Sequence, residues 1–162
     1  MKQGLGAEHP LCDKMQIFMV ILFFIAWIVD FFGFFTFEYS AVILDVVTVP
    51  PLIVGTILFL FFSYFLISRS HKVVLEQVND PPKLVDTGIY AWVRHPMYLG
   101  ILLFCFSFLF ISLSLIALGV WFIFYVLYDR MTIYEEKKLI EILGDQYKQY
   151  QKKVSKWLPK ID

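Results

Sequence analysis

Two short stretches hold the residue types that could do chemistry. The first is Arg94-His95-Pro96, inside "GIYAWVRHPMYLG" at residues 88–100. The second is the carboxylate pair Glu135-Glu136. Pro96 fits the first turn of a helix, where its missing N–H costs nothing. His95 then stands near a helix N-terminus, whose free N–H groups and partial positive charge suit an anion or a polar ligand. A plainer reading has the same residues as a bare helix start, with Arg94 snorkelling to lipid headgroups. Adjacent residues on a helix point about 100° apart. One glutamate can therefore face a pocket while the other faces lysine or water, although two adjacent carboxylates more often mark a solvated face. A carboxylate at Glu135 could accept from both hydroxyls of a ribose diol.

These stretches need a scaffold, and the composition says of what kind. The 162 residues suit one domain, 59% of them are hydrophobic and 17% charged, and the mean hydropathy is +0.70. Soluble domains carry more charge than this. The pattern predicts an all-α integral membrane helical bundle of about four transmembrane helices with a cytoplasmic amphipathic C-terminal extension. The first span runs roughly from Met15 to Phe37. The second runs roughly from Pro51 to Ser68, with Pro50-Pro51 at its start. Met97 to Tyr128 is too long for one ordinary span, so two tight spans share it, turning at Ser112 and Ser114. The domain then divides into an N-terminal two-helix hairpin (1–70), a cytoplasmic connector (71–96), and a C-terminal helical hairpin followed by a polar segment and tail (97–162).

The cations test that layout. Lys2 and Lys14 precede the first span, and Arg69, Lys72, Lys83 and Arg94 lie between the second and third. Arg130 and seven lysines follow the fourth, and none falls in the 38–50 connection or the 112–114 turn. All 14 lysines and arginines then share one face. The positive-inside rule makes that face cytoplasmic, with both termini and the working side on it. The segment before the first span, which carries Glu8 and Asp13, does not read as a secretory signal. In the tail, Leu139, Ile142 and Leu143 recur at helical spacing. Gly144-Asp145 reads as a helix stop and a new N-cap, followed by a short helix over "QYKQYQKKV" and an end at Pro159.

Other residues carry plainer expectations. Asp30, inside the first span, is expected to make a helix–helix hydrogen bond. Trp92 and Trp157 fit an interfacial belt. Gly4 to Gly6 is no dinucleotide fingerprint, because no strand precedes it. Cys12 and Cys105 show neither disulfide nor metal-ligand spacing, and no metal and no nucleic-acid partner are expected.

In order, "LVDTGIYAWVRHPMYLG", a tight apolar hairpin, and "EEKKLIEILGDQYKQYQKKVSKWLP" make a pattern that resembles the isoprenylcysteine carboxyl methyltransferase family. That family belongs with the integral-membrane, S-adenosylmethionine-dependent methyltransferases that include phospholipid methyltransferases. The resemblance covers about residues 82–160. It implies a cofactor pocket on the cytoplasmic side, closed by the C-terminal segment. Backbone contacts to S-adenosyl-L-methionine would come from Lys83, Leu84 and Val85. Tyr90, His95, Pro96, Met97 and Tyr98 would wall the pocket, and Glu135 would bind the cofactor. An arginine just before the glutamate pair holds the substrate carboxylate in the family. Arg130 is the candidate here, although a gapless alignment puts Met131 at the matching place, and Gln77 is out of register with a glutamine of eukaryotic members. Arg94 would hold the loop.

The implied chemistry is in-line methyl transfer from a sulfonium, in which the leaving group departs neutral. Positioning and desolvation supply most of such catalysis, and a carboxylate nucleophile needs no base. The implied substrate is a lipophilic or lipidated molecule, most simply the carboxylate of a prenylcysteine, beside the membrane lipids themselves. The oligomeric state stays open. Alternatives are a phospholipid N-methyltransferase, an NADPH-dependent membrane reductase sharing the Arg-His-Pro-x-Tyr motif, and a non-enzymatic adaptor whose basic tail binds anionic lipid.

Overall fold

A computed structural model describes residues 12–37, 49–76 and 84–159. Lys83, Gln77, the Gly4–Gly6 stretch and most of the expected outer connection, residues 38–48, lie outside these. The described residues form five α-helices: α1 (Cys12–Phe37), α2 (Val49–Glu76), α3 (Pro96–Ser112), α4 (Leu115–Leu143) and α5 (Asp145–Lys153). A 3-10 turn over Gly88–Ala91 precedes α3. This is an all-α membrane bundle.

Among the described residues, three helices are long and apolar enough to cross a membrane: the Lys14–Gly33 part of α1, the Pro50–His71 part of α2, and α4. The fourth expected span, α3, is apolar but has 17 residues. At 1.5 Å per residue it is about 25 Å long, near the lower limit for a span. The large side chains of α1 and α2 that face outward are apolar, among them Ile21, Val29, Ile57 and Phe61. In water this would be an aggregation surface, whereas lipid is its natural solvent. Helix α2 starts with the two prolines in its first turn and continues to Glu76, beyond the expected end at Ser68. The added turns carry Arg69 and His71 and need no apolar surroundings.

The α3–α4 hairpin is the centre of the bundle. Helix α2 packs along α3 more extensively than any other pair of elements, and α1 lies against α4 and α3. Close approach of α2 requires Gly100 on α3: a Cβ there would stand 2.7 Å from Ile67 Cγ1 and 3.3 Å from Ile67 N. Ser63 Oγ donates to the Gly100 carbonyl at 2.8 Å across the same contact. Phe23, Leu102, Cys105, Phe124 and Tyr128 form the core between α1, α3 and α4.

The hairpin turns where Ser112 and Ser114 were expected to mark it. Leu113 takes left-handed backbone at φ 50°. Ser114 caps α4 by accepting from Ala117 N at 3.0 Å, and its hydroxyl donates to the Asp30 carboxylate. Asp30 is thereby a helix–helix hydrogen-bonding residue, as its position inside α1 suggested. Trp27 on α1 also reaches the turn, donating to Phe108 O at 3.0 Å and Ser112 Oγ at 2.9 Å.

At the other end, α4 stops at Gly144, whose φ of 60° suits a residue without Cβ,. One expectation needs correction. Asp145 is the first residue of α5, not its N-cap, which is Gly144. A carboxylate in the first turn still complements the helix dipole, and Asp145 spends its charge on Lys148 at 2.9 Å.

Candidate active site

The inner surface of α4 explains why both glutamates are buried. Tyr128, Met131, Thr132, Glu135 and Glu136 are its buried residues toward the C-terminal end. They stand at i, i+3, i+4, i+7 and i+8, one continuous helical stripe. Glu135 and Glu136 occupy the two sides of this stripe, so both carboxylates point inward. The sequence reading has the second glutamate facing lysine or water. Instead Glu136 Oε1 accepts from Arg94 Nε at 2.8 Å and meets His95 Nε2 at 2.9 Å. Its Oε2 accepts from Gln151 Nε2 at 2.9 Å.

The start of α3 supplies the opposite wall. Gly88, at φ 61°, opens the 3-10 turn. Val93 is buried and pairs with Ser155 in an isolated parallel bridge. His95 occupies the N-cap of α3 without a side-chain capping bond, and Pro96 is the first helical residue. The imidazole turns toward α4 instead. Tyr98, three residues on and hence on the same face, donates its hydroxyl to Glu135 Oε1. His95 Nδ1 lies 3.8 Å from Glu135 Oε2. The Tyr98 ring packs on Tyr128 at 4.8 Å between centroids. Three residues expected at the cofactor, His95, Tyr98 and Glu135, are therefore brought together. Burial, only partly offset by Glu136, holds His95 below its ordinary value of 6.5; Lys156 and Arg94 lower it further,.

Arg94 does more than hold a loop. Its Nη1 donates to the carbonyls of Gln151 at 3.0 Å and Val154 at 2.7 Å, and its backbone N–H donates to Ser155 O at 2.9 Å. The side chain is 11% exposed, so the headgroup reading gives way: the fork is filled by protein acceptors. These bonds bind the C-terminal strand of chain across the front of His95. A second anchor lies further on, where Lys156 Nζ and Trp157 Nε1 both donate to Asp129 Oδ1, at 2.5 and 3.1 Å. The Trp157 ring lies 6.2 Å from that of His95, whereas Trp92 is 63% exposed.

The remaining expected residues are spread around this centre. Leu84 packs against Tyr147, Tyr150 and Val154. The Tyr90 carbonyl accepts from Tyr150 Oη at 2.6 Å. Burial pushes the phenols of Tyr147 and Tyr150 above their ordinary range. Val85 and Met97 are half-buried. Between the 84–91 segment and α5 lies a cleft of about 820 Å³ lined by Leu84, Asp86, Gln146, Gln149, Tyr150 and Lys153. Arg130 is exposed. It stands about 140° around α4 from Glu135, so the helix does not bring it to the buried cluster; Met131 is the residue on that stripe.

The donor set suits the cofactor that the motif implies. A buried carboxylate and an adjacent phenol and imidazole match the hydroxyls of a ribose.

A sequence profile of the phospholipid methyltransferase family matches residues 45–146, more than half of the chain and the whole of α2, α3 and α4. The chain belongs to that family. Among related proteins, the protein-S-isoprenylcysteine O-methyltransferase of Schizosaccharomyces pombe is 38% identical over 99 residues, 58% of this chain and 40% of the relative. The human protein-S-isoprenylcysteine O-methyltransferase is 36% identical over 102 residues, 58% of this chain and 34% of the relative. A methanethiol S-methyltransferase of Pseudomonas deceptionensis is 34% identical over 105 residues, 60% of this chain and 39% of the relative. The chain thus spans two fifths or less of the length of these relatives.

Proposed function

We propose that this member of the phospholipid methyltransferase family is an enzyme that transfers a methyl group from S-adenosyl-L-methionine to a lipophilic acceptor at the cytoplasmic membrane face. The observation that carries this reading is the buried Tyr98–Glu135 pair beside His95, inside the stretch that the family profile matches. Bound there, the cofactor supplies an activated methyl group on sulfur. Glu135 and Tyr98 hold its polar groups. Leu84 and Val85 offer backbone contacts, and Tyr90, Pro96 and Met97 wall the site. The strap from Gln151 to Trp157 excludes water from the imidazole side, which strengthens every polar contact inside.

The acceptor reaches the site from the lipid. Arg130, exposed on α4, is a cation available to a carboxylate head arriving that way, and the fork geometry of arginine suits it. A prenylcysteine-like carboxylate is the acceptor we favour, in keeping with the names of the yeast and human relatives. The thiol methyltransferase relative and the family description make a thiol or a phospholipid amine the second reading. The clustering of lysine and arginine supports a site and both termini on the cytoplasmic side.

Calorimetry on the purified chain with S-adenosylhomocysteine and, separately, NADPH tests the class. Binding of the first alone is expected, with Glu135→Ala weakening it while the unfolding midpoint stays near wild type. Binding of NADPH alone would move the protein to the reductases. Binding of neither would leave the adaptor reading in its place.

A further inference from the structure

The proposed acceptor head needs a cation that the fold brings to the site. Arg94 spends its fork on Glu136, Gln151 and Val154. Arg130, exposed and turned away from Glu135,, meets a head only on its way in. Lys156 differs from both. It follows Ser155, whose carbonyl accepts from the Arg94 N–H just before α3, and its side chain is 18% exposed. Its Nζ donates to Asp129 Oδ1 at 2.5 Å and to Asp129 O at 3.2 Å. An ammonium carries three N–H donors, so among the described residues a third remains for a ligand. The charge is felt at the imidazole, where it helps to hold His95 below its ordinary value,.

An aromatic file leads to this ammonium from the apolar part of α4. Trp121 and Tyr125 stack with centroids 6.2 Å apart, Tyr125 lies 5.7 Å from Trp157, and Trp157 lies 6.2 Å from His95. Lys156 Nζ stands 5.7 Å from the centre of the Trp157 ring. Trp121, Tyr125 and Trp157 are half-buried, so an apolar chain can reach them from the lipid. A row of rings with an ammonium at its end matches an amphiphile with an anionic head.

We propose that Lys156 is the acceptor-binding cation of this chain: its ammonium, held ready by Asp129, seats the head of a lipophilic carboxylate whose tail lies along Trp121, Tyr125 and Trp157. This rests on the methyl-transfer reading above and names the acceptor's seat within it. Asp129 and the head compete for one ammonium. Methyl transfer removes one competitor. A carboxylate oxygen takes the methyl group as the C–S bond breaks and leaves its electron pair on sulfur, and no proton moves. The neutral ester no longer holds Lys156, which returns to Asp129, and the product leaves along the file.

The test uses the full chain in phosphatidylcholine nanodiscs with S-adenosylhomocysteine, and N-acetyl-S-farnesylcysteine and its carboxamide as probes. The acid is expected to bind about 10- to 100-fold more tightly than the amide, the worth of bonds to a charged group. Lys156→Met should abolish that preference while amide binding holds. In turnover the loss should fall on KM, as for an interaction made equally in ground and transition states. Lys156→Arg should keep most of the preference. Asp129→Asn retains an oxygen acceptor for Lys156 and Trp157 but not the competing charge, so acid binding should tighten. A latch that only holds the strap would make Lys156→Met and Asp129→Asn both weaken both probes, and that result overturns the proposal. So does equal binding of acid and amide to the wild-type chain, or no binding of the acid. Should Lys156→Met not fold, the wild-type ratio and the Asp129→Asn shift decide. A chain that does not bind S-adenosylhomocysteine sinks the methyltransferase reading itself, which equal binding of the two probes does not.

Discussion

Replacing Arg94 by alanine should release the C-terminal segment while leaving the membrane bundle intact. The side chain makes three hydrogen bonds, to Glu136 and to the carbonyls of Gln151 and Val154. Hydrogen bonds to a charged group contribute about 1.5–3 kcal/mol each, and these three are not additive because they share one guanidinium. Removing one member of a buried ion pair costs about 3–5 kcal/mol. Water can reach part of the vacated space, since Arg94 is 11% and Glu136 12% exposed at the side chain, so roughly 2–4 kcal/mol is a fair expectation. At about 1.4 kcal/mol per tenfold, local opening of the segment becomes roughly 30- to 1,000-fold more frequent. Amide hydrogen exchange in nanodiscs reads this directly, at α5 and at Val154 and Arg94, whose N–H groups bond Tyr150 O and Ser155 O. Amides in the middle of α3 should keep wild-type protection. Arg94→Lys should fall between, because an ammonium keeps the charge but cannot reach three acceptors in a fork. Exchange over residues 145–157 within about threefold of wild type in Arg94→Ala would refute the clamp, since the quoted bond energies would then be absent.

Further expectations concern other contacts. His95 is held below its usual 6.5, so the unfolded chain binds the extra proton first; stability is present above about 6.5 and declines as pH falls below it. Thermal unfolding between pH 8 and 5 should show this slope in wild type and less of it in His95→Gln; parallel curves would refute it. Gly100→Ala should cost about 1–3 kcal/mol by forcing a methyl against Ile67,, read as a lower unfolding midpoint, and an unchanged midpoint would show that α2 can slide. Tyr150→Phe removes the bond to the Tyr90 carbonyl and should cost about 1 kcal/mol, with faster exchange confined to the 3-10 turn and α5. Arg130→Ala should lower turnover with S-adenosylhomocysteine binding kept; full activity would place the acceptor's head elsewhere.

The hairpin shows how far local pattern reaches. Ser112 and Ser114 marked the turn because polar residues in an unbroken apolar run have few other uses, and Ser114 does cap α4. Gly144 marked the break before α5 because only a residue without Cβ takes that backbone cheaply. Asp30 announced a buried bond, though not that its donor lay 84 residues away. The Glu136 contacts were not legible in this way. A glutamate among lysines reads as solvated, and its three donors come from residues 42, 41 and 15 positions distant. The stripe of Tyr128, Met131, Thr132 and Glu135 carried a signal that could have placed Glu136 inside, had its period been followed past the membrane border.

From the chain alone came the membrane class, the order of its apolar helices and the motif that names the family. All of these are periodic or compositional, and so are fixed by near neighbours. Three-dimensional packing settled the rest: that Arg94 clamps the carbonyls of Gln151 and Val154, that Trp157 bonds Asp129 beside the His95 ring, and that Arg130 stands away from Glu135. The reason is that a charged side chain takes whichever partner the fold brings within about 3 Å, and the chain crosses the front of α3 only after α4 and α5 have turned it back.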